Sequence, residues 1–440
     1  MSVEIISIIA LVAIFVIATV LPVHMGALAL VAAFIVGTTV VGESADEIIA
    51  GFPGDLFLIL VGVTLLFAIA KDNGTVDWLV NVAVNAVGGR IALIPWVMFA
   101  VTAILTSVGA VVPAAVAIIA PIGMGFALRY QIKPVLMGLM IINGGSAGGF
   151  SPLGIFGSIV NGVVERNNLP GNPLVLFLSS LLFNIVLGVV VFVLFGGRAL
   201  IGRRDVESSA DGTGEGGTFG GTTSTTLVQT VADGRGHTPI VTSYRDRILT
   251  VMGIVGVAIG ALFYRLDIGF LAITVAVLLS LASPNLTKSA VGKVAWSTVL
   301  LICGIVTYVS LMERIGTIDF LGNSVARIGA PLFAAVLICY IGAFVSAFAS
   351  TTGILGALIP LAVPFLLTGE VGAVGMIVAL SISSSVVDSS PFSTSGALVV
   401  AYSPDDQRDR VFQQLMTWGF SMVAVAPIVT WLAFVVPRWL

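Results

Sequence analysis

The chain has 440 residues, of which 58% are hydrophobic and 9% charged, with a mean hydropathy of +1.13. A soluble chain of this length would carry roughly 25% charged residues, which excludes a water-soluble globular protein. The net charge of −3 comes with no basic patch of the kind nucleic acid requires. The two cysteines, Cys303 and Cys339, stand in apolar runs without CxxC spacing or a histidine neighbour, so they offer neither a disulfide frame nor a metal site.

Apolar runs of roughly 20 residues, enough to cross a bilayer as a helix, recur along nearly the whole length. The first, 3–21, has no basic n-region and no small-residue cleavage site, and reads as a permanent span and not a signal peptide. Spans at 25–42 and 55–71 follow, then a short amphipathic stretch at 76–87. The run 91–128 is long enough for two passes, yet its midpoint from Gly109 to Pro113 is uncharged. That pattern predicts a re-entrant hairpin whose tip stays inside protein. The run 134–165 is apolar but interrupted by NGGSAGGFSP, and predicts a helix broken near the midplane. A span at 173–197 completes the first half.

The segment 203–243, containing DGTGEGGTFGGTTSTT, has too little apolar content to pack and reads as a flexible linker, with His237 solvated in it. The second half then offers spans at 247–264, 267–283 and 296–312 and an amphipathic stretch at 317–328. A second uncharged-tip hairpin follows at 330–367. A second broken helix at 372–402, interrupted by SISSSVVDSSP, precedes the last span at 411–436. The expected architecture is an all-α polytopic membrane protein of about 11 spans, counting the broken helices and giving the hairpins no second crossing. Its parts are a first repeat at 1–202, a linker at 203–243 and a second repeat at 244–440.

The two halves are one module written twice. NGTVDWL from Asn73 returns as IGTIDFL from Ile315. Gly62, Gly74, Thr75, Asp77 and Asn81 recur as Gly304, Gly316, Thr317, Asp319 and Asn323 at one constant offset. Ser107, Pro121, Ser146, Ser151, Pro152 and Gly157 recur as Ser346, Pro360, Ser385, Ser390, Pro391 and Gly396 at a second. Paired halves with Gly/Pro-interrupted spans at corresponding positions point to a secondary transporter and to its site.

Basic residues orient the plan. With the linker in the cytoplasm and each hairpin returning to its own side, 14 of the 19 Lys and Arg residues fall inside. Only Arg166, Arg265, Arg314, Arg327 and Arg438 fall outside, the asymmetry expected of a correct topology. Both termini then face outside, and the hairpins enter from opposite faces, so the repeats are inverted relative to each other. An inner-membrane location follows.

No Lys or Arg falls at the midplane. The polar groups there are Ser, Thr, Asn, backbone freed by Gly, and one carboxylate, Asp388. Broken helices aim half-helix N-termini at the midplane, where free N–H groups and the helix dipole receive an anion. Hydroxyls and unwound carbonyls suit Na+. The expected substrate-binding residues are Asn143, Gly144, Ser146, Ser151, Thr351, Thr352, Ser390, Ser393 and Thr394. Those expected for ion coupling are Ser350, Ser384, Ser385 and Asp388. Ser151 and Ser390 are read as N-caps of the restarted helices, with Pro152 and Pro391 in the first turn. Small residues also serve close packing, and hydroxyls also bond back to helix carbonyls. Asp388 has two readings, an intramembrane functional carboxylate and a cap preceding Ser390-Pro391.

Inverted repeats, hairpins with a Pro-containing arm and helices broken at Ser-Pro resemble the ion transporter superfamily, which includes divalent anion/sodium symporters. LPVHMGALALVAAFIVG and PGDLFLILVGVTLLFAIAKDNGTVDWLV resemble the MatC-type dicarboxylate carriers, most specifically over about the first 165 residues. The resemblance implies a dimerising scaffold, hence a homodimer, and a transport domain of hairpins and broken helices that moves as an elevator. It implies a small dicarboxylate substrate, malonate or a four-carbon acid, taken up with Na+ or H+ and without any other cofactor. Symporters of this kind carry Ser-Asn-Thr at each hairpin tip. The second hairpin offers Ser350-Thr351-Thr352, while the first departs with Val111-Val112-Pro113. Asp388, opposite Gly149 in the other half, is then expected to carry a coupling proton. Cation/proton antiport or arsenite-type efflux on the same scaffold is the alternative. An enzyme or redox subunit would need His, clustered Cys or paired carboxylates within the bilayer, and the apolar spans offer only the two isolated cysteines.

Overall fold

Long apolar runs can satisfy their backbone without water only by bonding within the segment, which a helix does. The computed structural model is helical accordingly, with no strand among the described residues. These are residues 2–76, 78–79, 82, 90–203, 244–264, 266–284, 290–317, 320, 330–347, 351–367 and 369–437.

The first half contains α1 (Val3–Val20), α2 (Met25–Val36), the short α3 (Ala45–Ala50) and α4 (Gly54–Asp72). The first hairpin is α5 (Ile94–Ser107) and α6 (Val112–Tyr130); the first broken helix is α7 (Pro134–Gly149) and α8 (Ile155–Arg166); α9 is Pro173–Leu194. The second half contains α10 (Tyr244–Phe263), α11 (Ile268–Ala282) and α12 (Trp296–Arg314). Its hairpin is α13 (Pro331–Ser346) and α14 (Thr351–Leu367), its broken helix α15 (Ala373–Val386) and α16 (Thr394–Tyr402), and its last helix α17 (Arg408–Thr430). Apart from α3, the two series correspond in order.

The repeat extends to contacts. From the first half, α4 packs on α11 of the second, where a Cβ on Gly62 would come 2.7 Å from the Gly269 carbonyl. Reciprocally, α12 of the second half packs on α2 of the first, and a Cβ on Gly304 would overlap the Gly26 carbonyl. Both crossings need glycine so that the two backbones can approach. Gly74 (φ 70°) and Gly316 (φ 78°) hold matching left-handed turns just past α4 and α12.

Among the described residues, six helices are long and apolar enough to cross a membrane. They are Gly54–Asp72, Val112–Tyr130, Pro173–Leu194, Trp296–Arg314, the broken Ala373–Tyr402, and Arg408–Val435. Several other expected spans form shorter helices. The run 25–42 stops being α-helical at Val36 and continues as a π turn, Gly37–Val41. There the Thr38 and Thr39 hydroxyls donate to the Phe34 and Ile35 carbonyls at 2.6 Å each, competing with backbone N–H groups for acceptors. The linker from 204 onward lies outside the described residues, as do most of the amphipathic stretches 76–87 and 317–328 with Asp77, Asn81, Asp319 and Asn323.

The broken helices occupy the centre. Every residue of α7 is buried, and so is every residue of α15 from Gly375 to Val386. The restarted pieces cross over between halves. α8 packs against α14 of the second hairpin, and α16 packs against α6 of the first and against α7. Hairpins and broken helices thereby share one hydrophobic core. Around them, α2, α4, α11 and α12 pack in pairs, with α12 against α14 and α4 against α8.

Candidate functional site

Each broken helix runs beside the first arm of its own hairpin. On α7, a Cβ on Gly144 would overlap the Phe99 carbonyl of α5, and one on Gly148 would overlap the Ala103 carbonyl. Gly144 is therefore a close-packing position. One turn further, the chain leaves the helix, and the Ser151 hydroxyl donates to the Ser107 carbonyl at 2.5 Å. The first break is thus pinned level with the first hairpin tip.

The restart differs from the sequence expectation. Ser151 and Ser390 are not N-caps; Gly154 and Ser393 are. Ser390 holds an extended backbone (φ −65°, ψ 141°), the conformation that a following proline enforces. Ser151-Pro152-Leu153-Gly154 and Ser390-Pro391-Phe392-Ser393 are equivalent turns, with proline at the second position. The Gly154 N–H donates to the Ser151 carbonyl at 2.9 Å, and the Ser393 N–H to the Ser390 carbonyl at 3.0 Å. Only after each turn does the helix resume. Gly157 and Gly396 recur because any Cβ there would overlap those same serine carbonyls. The Ser393 hydroxyl accepts from the Gly396 N–H at 3.2 Å and donates to the Ser390 carbonyl at 2.7 Å and to that of Asp388. Thr394 is the first residue of α16.

Asp388 lies in the 3-10 turn Val387–Ser389 and is buried. Its carboxylate accepts from the Ser395 hydroxyl at 2.6 Å. The cap of the restarted helix being Ser393, the capping reading of Asp388 falls away. In the first half the equivalent positions are Gly149 and Phe156. There the Phe156 ring fills the space beside Gly149, 3.0 Å from where a Cβ would stand. One break therefore carries a carboxylate–hydroxyl pair where the other carries an apolar contact.

Several buried polar atoms have no hydrogen-bond partner among the described residues. A helical serine ordinarily bonds back one turn, as Ser383, Ser385 and Ser389 do at 3.1, 3.1 and 2.9 Å. Ser146 Oγ, Ser384 Oγ and Asn143 Nδ2 are buried and unpartnered. Leaving a buried polar group unmet costs about 1–3 kcal/mol, so such atoms at a helix break call for a ligand, ion or water. Ser384 faces the second hairpin, 2.6 Å from where a Cβ on Gly342 would lie. One turn beyond Gly342, the Ser346 hydroxyl meets that of Thr351 at 2.9 Å across the tip. Thr351 and Thr352 are both buried at the start of α14; Ser350 lies outside the described residues.

Two polar residues escaped the sequence reading. Ser180 and Asn184 are fully buried on α9, and the Ser180 hydroxyl donates to the Ser146 carbonyl at 3.4 Å. Asn184 Nδ2 donates to the Ser180 carbonyl at 2.9 Å, while its Oδ1 has no partner among the described residues. Their i, i+4 spacing within FLSSLLFNIVLG was the available signal, since it sets both on one face.

Removal of the Thr351 and Thr352 hydroxyls by a double Val substitution is expected to weaken substrate or ion binding about tenfold. That corresponds to ~1.4–2 kcal/mol at roughly 1 kcal/mol per lost hydrogen bond. Thr351→Val alone should act mainly on hairpin closure, through Ser346. Concentration dependence of uptake together with thermal stability of purified protein separates the two; unchanged affinity in the double variant would leave the hydroxyls as packing groups.

Residues 1–149 match the family model described as the dicarboxylate carrier protein MatC N-terminus. No curated protein sequence matches the chain. In fold the chain is similar to the Alcanivorax borkumensis YdaH transporter, reported with an unusual topology. The TM-score is 0.59 at 11% identity, over 92% of this chain and 96% of that one. The chain is thus a multi-pass membrane protein whose fold is similar to that of a transporter and whose first 149 residues match a dicarboxylate-carrier model; both likenesses are to transporters.

Proposed function

We propose that the protein is a secondary active transporter that takes up a small dicarboxylate, malonate or a four-carbon acid, coupled to Na+ or H+. The observation that carries this reading is the pair of equivalent helix breaks, buried in protein and bearing polar atoms of Asn143, Ser146 and Ser384 that have no hydrogen-bond partner among the described residues. Neither break has a Lys or Arg beside it in sequence. Half-helix N-termini at Gly154 and Ser393 would meet the carboxylates, and a co-bound cation would neutralise the second negative charge.

The interlock of hairpins and broken helices supports their moving as one body against α2, α4, α11 and α12, in an elevator mechanism. The one-for-one order of elements supports two repeats, 1–202 and 244–440, which positive-inside threading makes inverted. Residues which that threading assigns to one side also meet in space. Arg90 and Arg203 share a groove, Lys71 and Lys293 a cleft, and Arg314 pairs with Glu43 at 2.8 Å on the opposite side. This supports a cytoplasmic linker and outward termini in an inner membrane. A homodimer joined through the scaffold belongs to the same reading.

The test is uptake by proteoliposomes of labelled malonate and succinate under imposed Na+ or proton gradients. Accumulation of one of them, driven by one of the two gradients, is expected. The buried carboxylate Asp388 favours a second reading, cation/proton antiport or arsenite-type efflux. Gradient dissipation by monovalent cations, or arsenite movement, without dicarboxylate uptake would replace the first reading with the second.

A further inference from the structure

A cleft of about 130 Å3 separates α4 from the second arm of the first hairpin. Thr64, Phe67 and Lys71 line one wall, at a spacing that puts them on one face of α4. Val111, Ala114 and Ile118, along the start of α6, line the other. The seven helical steps from Thr64 to Lys71 make the wall about 10 Å long. The inner end is the hairpin tip. Gly109 sits there at φ 110°, against Val63, and a Cβ on it would come 3.4 Å from the Leu153 carbonyl. Ser151 of the same turn bonds the Ser107 carbonyl, so the cleft leads to the first helix break.

The mouth is cationic. Lys71 and Lys293 both line it, and no acidic side chain does. Lys293 pairs with Asp72 at 2.5 Å, which cancels one charge. Lys71 is exposed and makes no ion pair or hydrogen bond among the described residues. The net charge around the mouth is therefore positive and centred on Lys71, above apolar walls that concentrate its field.

We propose that this cleft is an anion vestibule, in which Lys71 draws a small dicarboxylate toward the first hairpin tip. The assignment rests on the dicarboxylate reading above for its ligand, but its charge selectivity can be read without transport. Cysteine at Ala114, or in a second variant at Ile118, reports the cleft in a background with Cys303 and Cys339 replaced by Ala. The probes are an anionic and a cationic methanethiosulfonate, with rates normalised to those of a free small thiol in the same buffer.

A unit charge ~7–10 Å away through water changes the local concentration of a monovalent ion about two- to threefold. The anionic-to-cationic rate ratio should therefore exceed that of the free thiol, fall about four- to eightfold in Lys71→Gln, and invert in Lys71→Glu. High salt should collapse the difference. In proteoliposomes oriented with the cytoplasmic face outward, Lys71→Gln should raise the KM for dicarboxylate presented on that face two- to fourfold or more with little change in maximal rate. A ratio that ignores Lys71, or thiols that do not react at either position, would overturn the vestibule. If instead the ratio behaves as stated while wild-type vesicles accumulate no dicarboxylate, the vestibule stands and the substrate reading fails.

Discussion

Asp388→Asn should still bind and exchange dicarboxylate but accumulate it at least about tenfold less against a gradient, a loss of ~1.4 kcal/mol of coupling. Asp388 is buried in the second break, where its carboxylate accepts from the Ser395 hydroxyl. Asparagine keeps an oxygen that can accept from the Ser395 hydroxyl, so the fold of the turn survives the change. It cannot take up a proton, nor lend a full negative charge to a bound cation. Counterflow and gradient-driven uptake, measured on the same proteoliposomes, separate the two capacities. Wild-type accumulation by the variant would reduce Asp388 to a structural acceptor. Ser395→Ala tests the same pair from the other side: it should lower accumulation less than Asp388→Asn does.

The second large effect falls on packing. Gly144→Val and Gly148→Val should each prevent recovery of folded protein, or lower its melting temperature sharply. Overpacking typically costs about 1–3 kcal/mol, and here the obstruction is backbone, which cannot rotate away. The added carbons would overlap the Phe99 and Ala103 carbonyls, while α7 has no exposed face toward which to shift. Gly125→Val, on the arm α6, is the control, because nothing lies within 4 Å of its added Cβ. Fluorescence-detected size exclusion of detergent extracts across a temperature series reads all three. A wild-type profile for Gly148→Val would mean that α5 and α7 are not in backbone contact.

The repeat was legible because its markers are residues that apolar spans use sparingly. Gly62 and Gly304 recur for backbone approach, Gly157 and Gly396 for a serine carbonyl, and Ser151-Pro152 and Ser390-Pro391 for a turn. The hairpins and breaks followed from where charge was missing and where Gly, Ser and Pro clustered. Finer points were not legible. A Ser-Pro pair is compatible with both an N-cap and a preceding turn, and three residues of local geometry decide between them. The pairing of α8 with α14, and of α16 with α6, was not legible, because it joins elements from different halves, far apart in sequence, and a helix's apolar face does not say which distant helix will cover it. Ser180 and Asn184 were hidden for a related reason, since two polar residues in a lipid-length helix do not reveal which helix they face. The substitution of Gly149 and Phe156 for Asp388 and Ser395 was readable in principle from the offset. Its meaning required seeing that both pairs fill the same gap.

The exchange of restarted helices between halves also bears on how the molecule is made. When the ribosome has released α8, its partner α14 has not yet been synthesised, and the groove for α16 on α6 stands empty. The N-terminal half must wait in the bilayer with these faces uncovered until nearly 400 residues have emerged. Assembly of the central body is therefore a late event that closes both halves together, and a chain truncated before Thr394 would leave the first hairpin unfinished as well as the second.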